Sequence, residues 1–180
     1  FVGARLAWFG IYREEVRLRL KLAREVAGRT SGRVLDVGSG SGYPALLMAL
    51  SGNAGEVVGI ELDRHIFEFS KRLEKLAKNL RFINGDFFDR GLELGGFDTV
   101  AFSYILHDFA PRPFLERALE VLKPGGRIIV GDFDINGLRE TLKRFAREKR
   151  VKLLENLTLG EAHTHRQRAE AFIFVMEVPK

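Results

Sequence analysis

The stretch Val34-Leu35-Asp36-Val37-Gly38-Ser39-Gly40-Ser41-Gly42 constrains this chain more than any other. A short apolar run ends in an acid, three alternating glycines follow, and an apolar segment with helical spacing begins. That order predicts a buried strand, a tight turn and the start of a helix that together hold a nucleotide-like ligand. Glycine serves there because it accepts positive φ, and because a side chain would keep backbone amides away from the ligand.

The 180 residues suit one domain with one sizeable core. We expect residues 1–30 to form an N-terminal lid or helix segment and residues 31–180 the ligand-binding core. Apolar residues at 46% and charged residues at 29% indicate a soluble, globular chain. No apolar run is long enough to span a bilayer, so no membrane partner is expected and a cytoplasmic enzyme fits best. With no cysteine there is no disulfide framework, no thiolate metal site and no cysteine nucleophile. The formal charge of +5 permits an anionic partner such as RNA without demanding one. Dense charge without cysteine also fits a thermophile.

Along the chain, Glu14–Ala27 carries partly helical apolar spacing, with Gly28 as its stop. Strands are expected at Arg33–Val37, Glu56–Ile60, Leu80–Ile83, Phe97–Phe102 and Arg127–Gly131. Helices are expected at Tyr43–Leu50, from Asp63 to about Lys78, at Pro111–Leu122 and at Gly137–Lys149. In the second of these, Ile66, Phe67, Leu73, Leu76 and Ala77 should form the inner face. Lys123-Pro124-Gly125-Gly126 reads as a turn. Val151–Leu157 and Ala171–Val178 read as two more strands with no helix between them, hence an antiparallel hairpin at one edge. Strand–helix alternation over five units implies a parallel sheet covered on both faces.

A glycine turn after a strand serves dinucleotides and S-adenosylmethionine (SAM) alike. Further residues narrow the choice. Glu61 ends the second strand 19 positions after Gly42, where an acid can accept from both ribose hydroxyls, while Asp63 caps the next helix. Asn84-Gly85-Asp86-Phe87 follows the third strand, where a carboxylate can accept from an adenine amino group beside an aromatic ring; a helix cap and a core Phe are the alternative. Ser103, Tyr104, His107 and Asp108 follow the fourth strand, at the sheet edge that faces a ligand crevice.

These segments, with Phe97-Asp98-Thr99-Val100 and Leu122-Lys123-Pro124-Gly125-Gly126, carry a resemblance over nearly the whole length. The chain resembles class I SAM-dependent methyltransferases. The resemblance implies an α/β, doubly wound Rossmann-like sheet of order 3-2-1-4-5-7-6 with strand 7 antiparallel. It implies SAM as cofactor, with Asp36 and the glycines around the methionine moiety, Glu61 at the ribose, and Asp86 and Phe87 at adenine. The full expected binding set is Asp36, Gly38, Ser39, Gly40, Gly42, Glu61, Leu62, Asp86, Phe87 and Ser103.

The acceptor is less explicit, because SAM carries the activated methyl group and the protein chiefly aligns the acceptor. Ser103-Tyr104-Ile105-Leu106 is not the Asn-Pro-Pro-Tyr type used on planar amino groups. His107 is the candidate base, oriented by Asp108 or another carboxylate, with Tyr104 beside it. A histidine that only shapes the cleft edge is the alternative. Leu106-His107-Asp108-Phe109 is similar to the base segment of small-molecule O-methyltransferases, so an O or N of a small molecule is the first expectation. Short loops and an open cleft would also suit a protein or RNA acceptor, and Gly85-Asp86-Phe87-Phe88 is similar to a segment of small protein lysine methyltransferases. A methyltransferase-like module that binds without turnover is the non-enzymatic reading. The aromatic segment Phe1–Tyr12 and the Leu159–Arg168 loop are the candidate lids, and a monomer or homodimer is expected. Glu161–Arg166 reads as a polar loop rather than a metal site. The basic run Arg139–Lys152 reads as a solvated helix face.

Overall fold

The computed structural model describes residues 2–164 and 167–180, with side chains from Arg13 onward. Seven strands form one sheet: β1 (Gly32–Val37), β2 (Ala54–Glu61), β3 (Leu80–Asn84), β4 (Phe97–Ser103), β5 (Leu122–Phe133), β6 (Lys152–His163) and β7 (Arg168–Glu177). Their order is β3-β2-β1-β4-β5-β7-β6. The first five run parallel, and β7 lies antiparallel to both β5 and β6. The expected Rossmann-like topology is thus the observed one.

Strict alternation along the central strands produces two cores. Leu35, Val37, Val100, Phe102, Ile128 and Val130 face α4 (Pro111–Val121) and α5 (Leu138–Lys149). Val34, Val57, Ala101 and Ile129 face α1 (Val2–Arg29), α2 (Tyr43–Leu50) and α3 (Arg64–Ser70). Both faces are apolar, as a covered parallel sheet requires.

Four boundaries depart from the sequence expectation. First, α1 continues back through the aromatic N-terminal segment, whose Ala and Leu content and lack of proline favour helix. Second, α3 ends at Ser70 and gives way to a 3-10 turn over Lys71–Leu76. The tighter pitch rotates the expected inner face. Phe67 and Leu73 still pack inward, but Ile66 is exposed and Leu76 is 62% exposed. Third, Lys123–Gly126 is not a separate turn. These residues form an irregular lead-in to β5, with pairing displaced between Phe97 and Thr99 and Gly125 N–H donating to Pro179 O. The polar stretch after Leu157 likewise extends the hairpin, pairing as far as His163 with Arg168. Its residues are polar because β6 is an edge strand, where the Glu161–Arg168 ion pair forms on the surface.

The seating of α1 depends on a missing side chain. Gly131 in β5 lies under Val26 and Leu22, and a Cβ there would come within 2.5 Å of Val26 Cγ2. The same residue's carbonyl accepts Tyr104 N–H at 2.9 Å. Gly131→Ala is expected to lower stability by about 1–3 kcal/mol, read as a fall in the urea midpoint with an unchanged slope.

Candidate functional site

The carboxyl ends of β1, β2, β3 and β4 form a cleft with two lobes. One lobe, about 470 Å³, is lined by Glu61, Leu62, Asp86, Phe87, Ile105 and Phe109 among others. The other, about 420 Å³, lies between α1 and the glycine turn, against Arg19, Ser39, Tyr43, Ser103 and Tyr104. Gly38 and Tyr104 line both lobes and form the waist between them.

At the base of the turn is Asp36. Its register neighbours are Gly59 in β2 and Ala101 in β4, so neither flank offers a polar group. Its carboxylate is fully buried, and neither oxygen has a hydrogen-bond partner among the described residues. Burial first, and then the Glu61 charge, push its pKa up to about 8. A buried, unsatisfied acid costs stability, and this one sits directly before Val37 and Gly38, which line the cleft. Ser39 and Ser103 have buried, unpartnered hydroxyls at the same place.

The three alternating glycines have different reasons. All have positive φ. A Cβ on Gly38 would run into Ile105, and one on Gly42 would meet Phe82, Leu73 and Ser70 within 2.9 Å. A Cβ on Gly40 would meet only Gly38 O, at 3.9 Å, so Gly40 is the one that keeps space open.

Glu61 ties the lobes together. Its Oε2 accepts from Gly40 N–H at 2.8 Å and its Oε1 from Asp63 N–H at 3.0 Å. Asp63 caps α3 by accepting from His65 and Ile66 N–H, as expected. Those two backbone bonds hold its own carboxyl below the usual range. Asn84 Nδ2 donates to the Glu61 and Leu62 carbonyls, and Asp86 Oδ1 accepts Phe88 N–H at 2.8 Å. Leu62 is 70% exposed and forms one apolar edge of the larger lobe. The Phe87 ring is buried against Phe102 and Phe114 and forms the floor of this lobe. The more exposed rings at its rim are Phe88 and Phe109.

His107 is buried in a short 3-10 turn after β4. Its Nδ1 lies 2.6 Å from Asp132 Oδ1, and its Nε2 lies 3.4 Å from Asp108 Oδ2. Asp132, at the end of β5, is held in turn by N–H groups of His107 and Phe133. The sequence reading did not single out Asp132. Its signal was there: a lone acid closing the run Ile128-Ile129-Val130-Gly131, the same pattern that marks Asp36. Tyr104 occupies positive φ (70°), rare for a non-glycine residue, with its ring edge-on to His107. Its hydroxyl is buried, and burial raises its pKa against the opposing pull of the Arg19 guanidinium.

Of the Glu161–Arg166 stretch, His165 and Arg166 lie outside the described residues, as do the side chains of the aromatic N-terminal segment. No described helix is long and apolar enough to cross a membrane.

A seven-stranded sheet of this order, with a glycine turn after β1 and an acid at the end of β2, defines a Rossmann-like methyltransferase domain. A family model described as "Methyltransferase domain" matches residues 29–170, and the chain belongs to that SAM-dependent family. A demethylmenaquinone methyltransferase from Clavibacter sepedonicus is 32% identical over 116 residues, which cover 64% of this chain and 46% of that protein. The chain spans about half the length of the curated relatives it matches. Among solved structures, the cyclase SpnF aligns with TM-score 0.73 at 21% identity, covering 88% of this chain and 81% of that one. The N-methyltransferase NodS from Bradyrhizobium japonicum, solved with S-adenosyl-L-homocysteine, aligns with TM-score 0.70 at 14% identity, covering 94% and 88%. At such identities the likeness to these two is one of fold.

The orphaned Asp36 carboxylate, the open space at Gly40 and the acid at Glu61 fit a ligand with an ammonium group and a ribose. Because Asp36 keeps its proton up to about pH 8 when folded but ionises near its ordinary value of 3.8 when unfolded, the native state binds the extra proton. Its contribution therefore lowers the stability of the ligand-free protein as pH rises from about 4 to 8. Asp36→Asn is expected to abolish that slope and to stabilise the ligand-free protein by roughly 1–3 kcal/mol at and above pH 8, measured by thermal melts across pH.

Proposed function

We propose that this chain transfers a methyl group from SAM to an oxygen or nitrogen of a small-molecule acceptor, with His107 taking up the acceptor's proton. The observation that carries this reading is the 2.6 Å contact between His107 Nδ1 and Asp132 Oδ1 beside the cleft. When bound, SAM supplies an electrophilic methyl group on a sulfonium, so no further activation of the donor is needed.

The chain's own residues do the rest. Asp36 would hold the ammonium of the methionine moiety, Glu61 would accept from the ribose hydroxyls, and Leu62, Asp86 and Phe87 would hold the adenine. Glu61 retains lone pairs for this after its two backbone bonds. In the tautomer that donates Nδ1–H to Asp132, the basic nitrogen of His107 is Nε2. A proton arriving there lies between Asp132 on one side and Asp108 on the other. A group held in this way contributes by position and proton transfer, without covalent attack.

The names of several curated relatives, demethylmenaquinone methyltransferases, support a small-molecule acceptor. They also favour a second reading, in which the methyl goes to a ring carbon next to a hydroxyl. Removal of the hydroxyl proton makes that carbon nucleophilic, so the same base serves.

The test is transfer of labelled methyl from SAM into a cell extract fractionated into small molecules, protein and RNA. Label is expected in the small-molecule fraction; label confined to protein or RNA overturns the acceptor class. On the true acceptor, His107→Ala is expected to slow turnover by about 10²–10⁴-fold with SAM affinity retained. Near-normal turnover of that variant would remove His107 from the chemistry and leave it as a shaping residue.

A further inference from the structure

Four residues of α4 are buried, and three of them, Leu115, Ala118 and Val121, are apolar. The fourth is Arg117, whose side chain is 10% exposed. A guanidinium costs more to desolvate than an apolar side chain in the same place, so its presence there is explained by what it holds. Its Nε donates to the Phe87 carbonyl at 3.2 Å, and its Nη1 to Glu120 Oε2 at 2.9 Å. The other oxygen of Glu120 accepts from Arg90 Nη2 at 2.9 Å. Arg90 and Arg117 together hold the Glu120 carboxyl below its usual range. Thus α4 grips the loop after β3 at two points, Phe87 and Arg90.

The bond to Phe87 does more than anchor the loop. The peptide between Phe87 and Phe88 is pinned at both ends, its carbonyl by Arg117 and its N–H by Asp86 Oδ1 at 2.8 Å. A peptide is planar, so fixing the carbonyl fixes the direction of the N–H. Aspartate accepts from the N–H two residues on in many turns; here the buried arginine removes the freedom of the peptide that carries it. The Asp86 carboxylate, which lines the larger lobe, is thereby held in one rotation, with Oδ2 left to face a donor there. We infer that Arg117 is a positioning residue for adenine recognition: through one peptide plane it aims Asp86 at the amino group of the base. This rests on the SAM reading of the cleft and on Asp86 as the adenine contact. Arg117 does not line the lobe and acts only through the loop.

Titration calorimetry with 5′-methylthioadenosine and 5′-methylthioinosine tests this. The second nucleoside has a carbonyl in place of the amino group, so it offers Asp86 an acceptor where the first offers a donor. The unmodified chain is expected to favour 5′-methylthioadenosine by roughly 10–100-fold. Arg117→Met is expected to cut that preference by at least about fivefold, because a misdirected carboxylate loses most of one charge-assisted bond. Asp86→Ala, at an exposed loop position, should abolish the preference. The double variant D86A/R117M should show no loss of preference beyond that of D86A, since Arg117 works through that carboxylate. Arg117→Lys keeps a buried cation should the Met variant not fold, and its single flexible ammonium should give an intermediate preference. A structural role alone would weaken both nucleosides by the same factor. That result, a preference unchanged in every folded Arg117 variant, or a further loss in the double variant overturns the assignment while the SAM site stands. No preference in the unmodified chain removes Asp86 from the adenine contact and this assignment with it. Failure of the unmodified chain to bind SAM or either nucleoside overturns the SAM reading as well.

Discussion

The parallel pairing of β1 with β2 on one side and β4 on the other is the constraint on which the rest depends. Val37 is in register with Ile60 and with Phe102. Gly38, Glu61 and Ser103 therefore leave the sheet at one level, and three loops far apart in sequence open onto a single crevice. The same register sets glycine and alanine beside Asp36, so the carboxylate is enclosed without being satisfied. A fold selected for stability alone would put an apolar residue there. The unsatisfied acid marks where the scaffold gives up stability.

Much of this architecture was legible along the chain. The apolar run, glycine turn and helix start at Val34–Leu50 specify one another locally, and Asp63 caps its helix through bonds two and three residues away. Such features need only neighbours in sequence. Asp132 was harder to read for the opposite reason. A single acid at the end of β5 gains meaning only when His107, 25 residues earlier, folds against it. Leu76 illustrates another kind of failure. Helical periodicity placed it inward, but the change of pitch after Ser70 turned it out, and no single residue announces that change.

His107 and Tyr104 show how the two faces of the sheet meet at the cleft. Asp132 belongs with the strand positions that face α4 and α5, while Tyr104 packs with the cluster under α1 and α2. The loop after β4 is pinned to both, by Asp132 through His107 and by Gly131 through Tyr104 N–H. Its left-handed backbone at Tyr104 is the strained link between them, held because both sides over-determine it. The cyclase SpnF shares this fold, and a fold by itself does not fix the reaction carried out on it.

The outermost strand, β6, carries a largely exposed face along its length and pairs on one side only. Surface positions of this kind tolerate substitution with little effect on folding. The exposed positions of β6 can therefore diverge while β7, whose Phe172, Ile173 and Phe174 are fully buried, and the central strands stay as they are. Such a chain is evolvable in a modular sense: its periphery can drift toward new targets without jeopardising the chemistry at its centre.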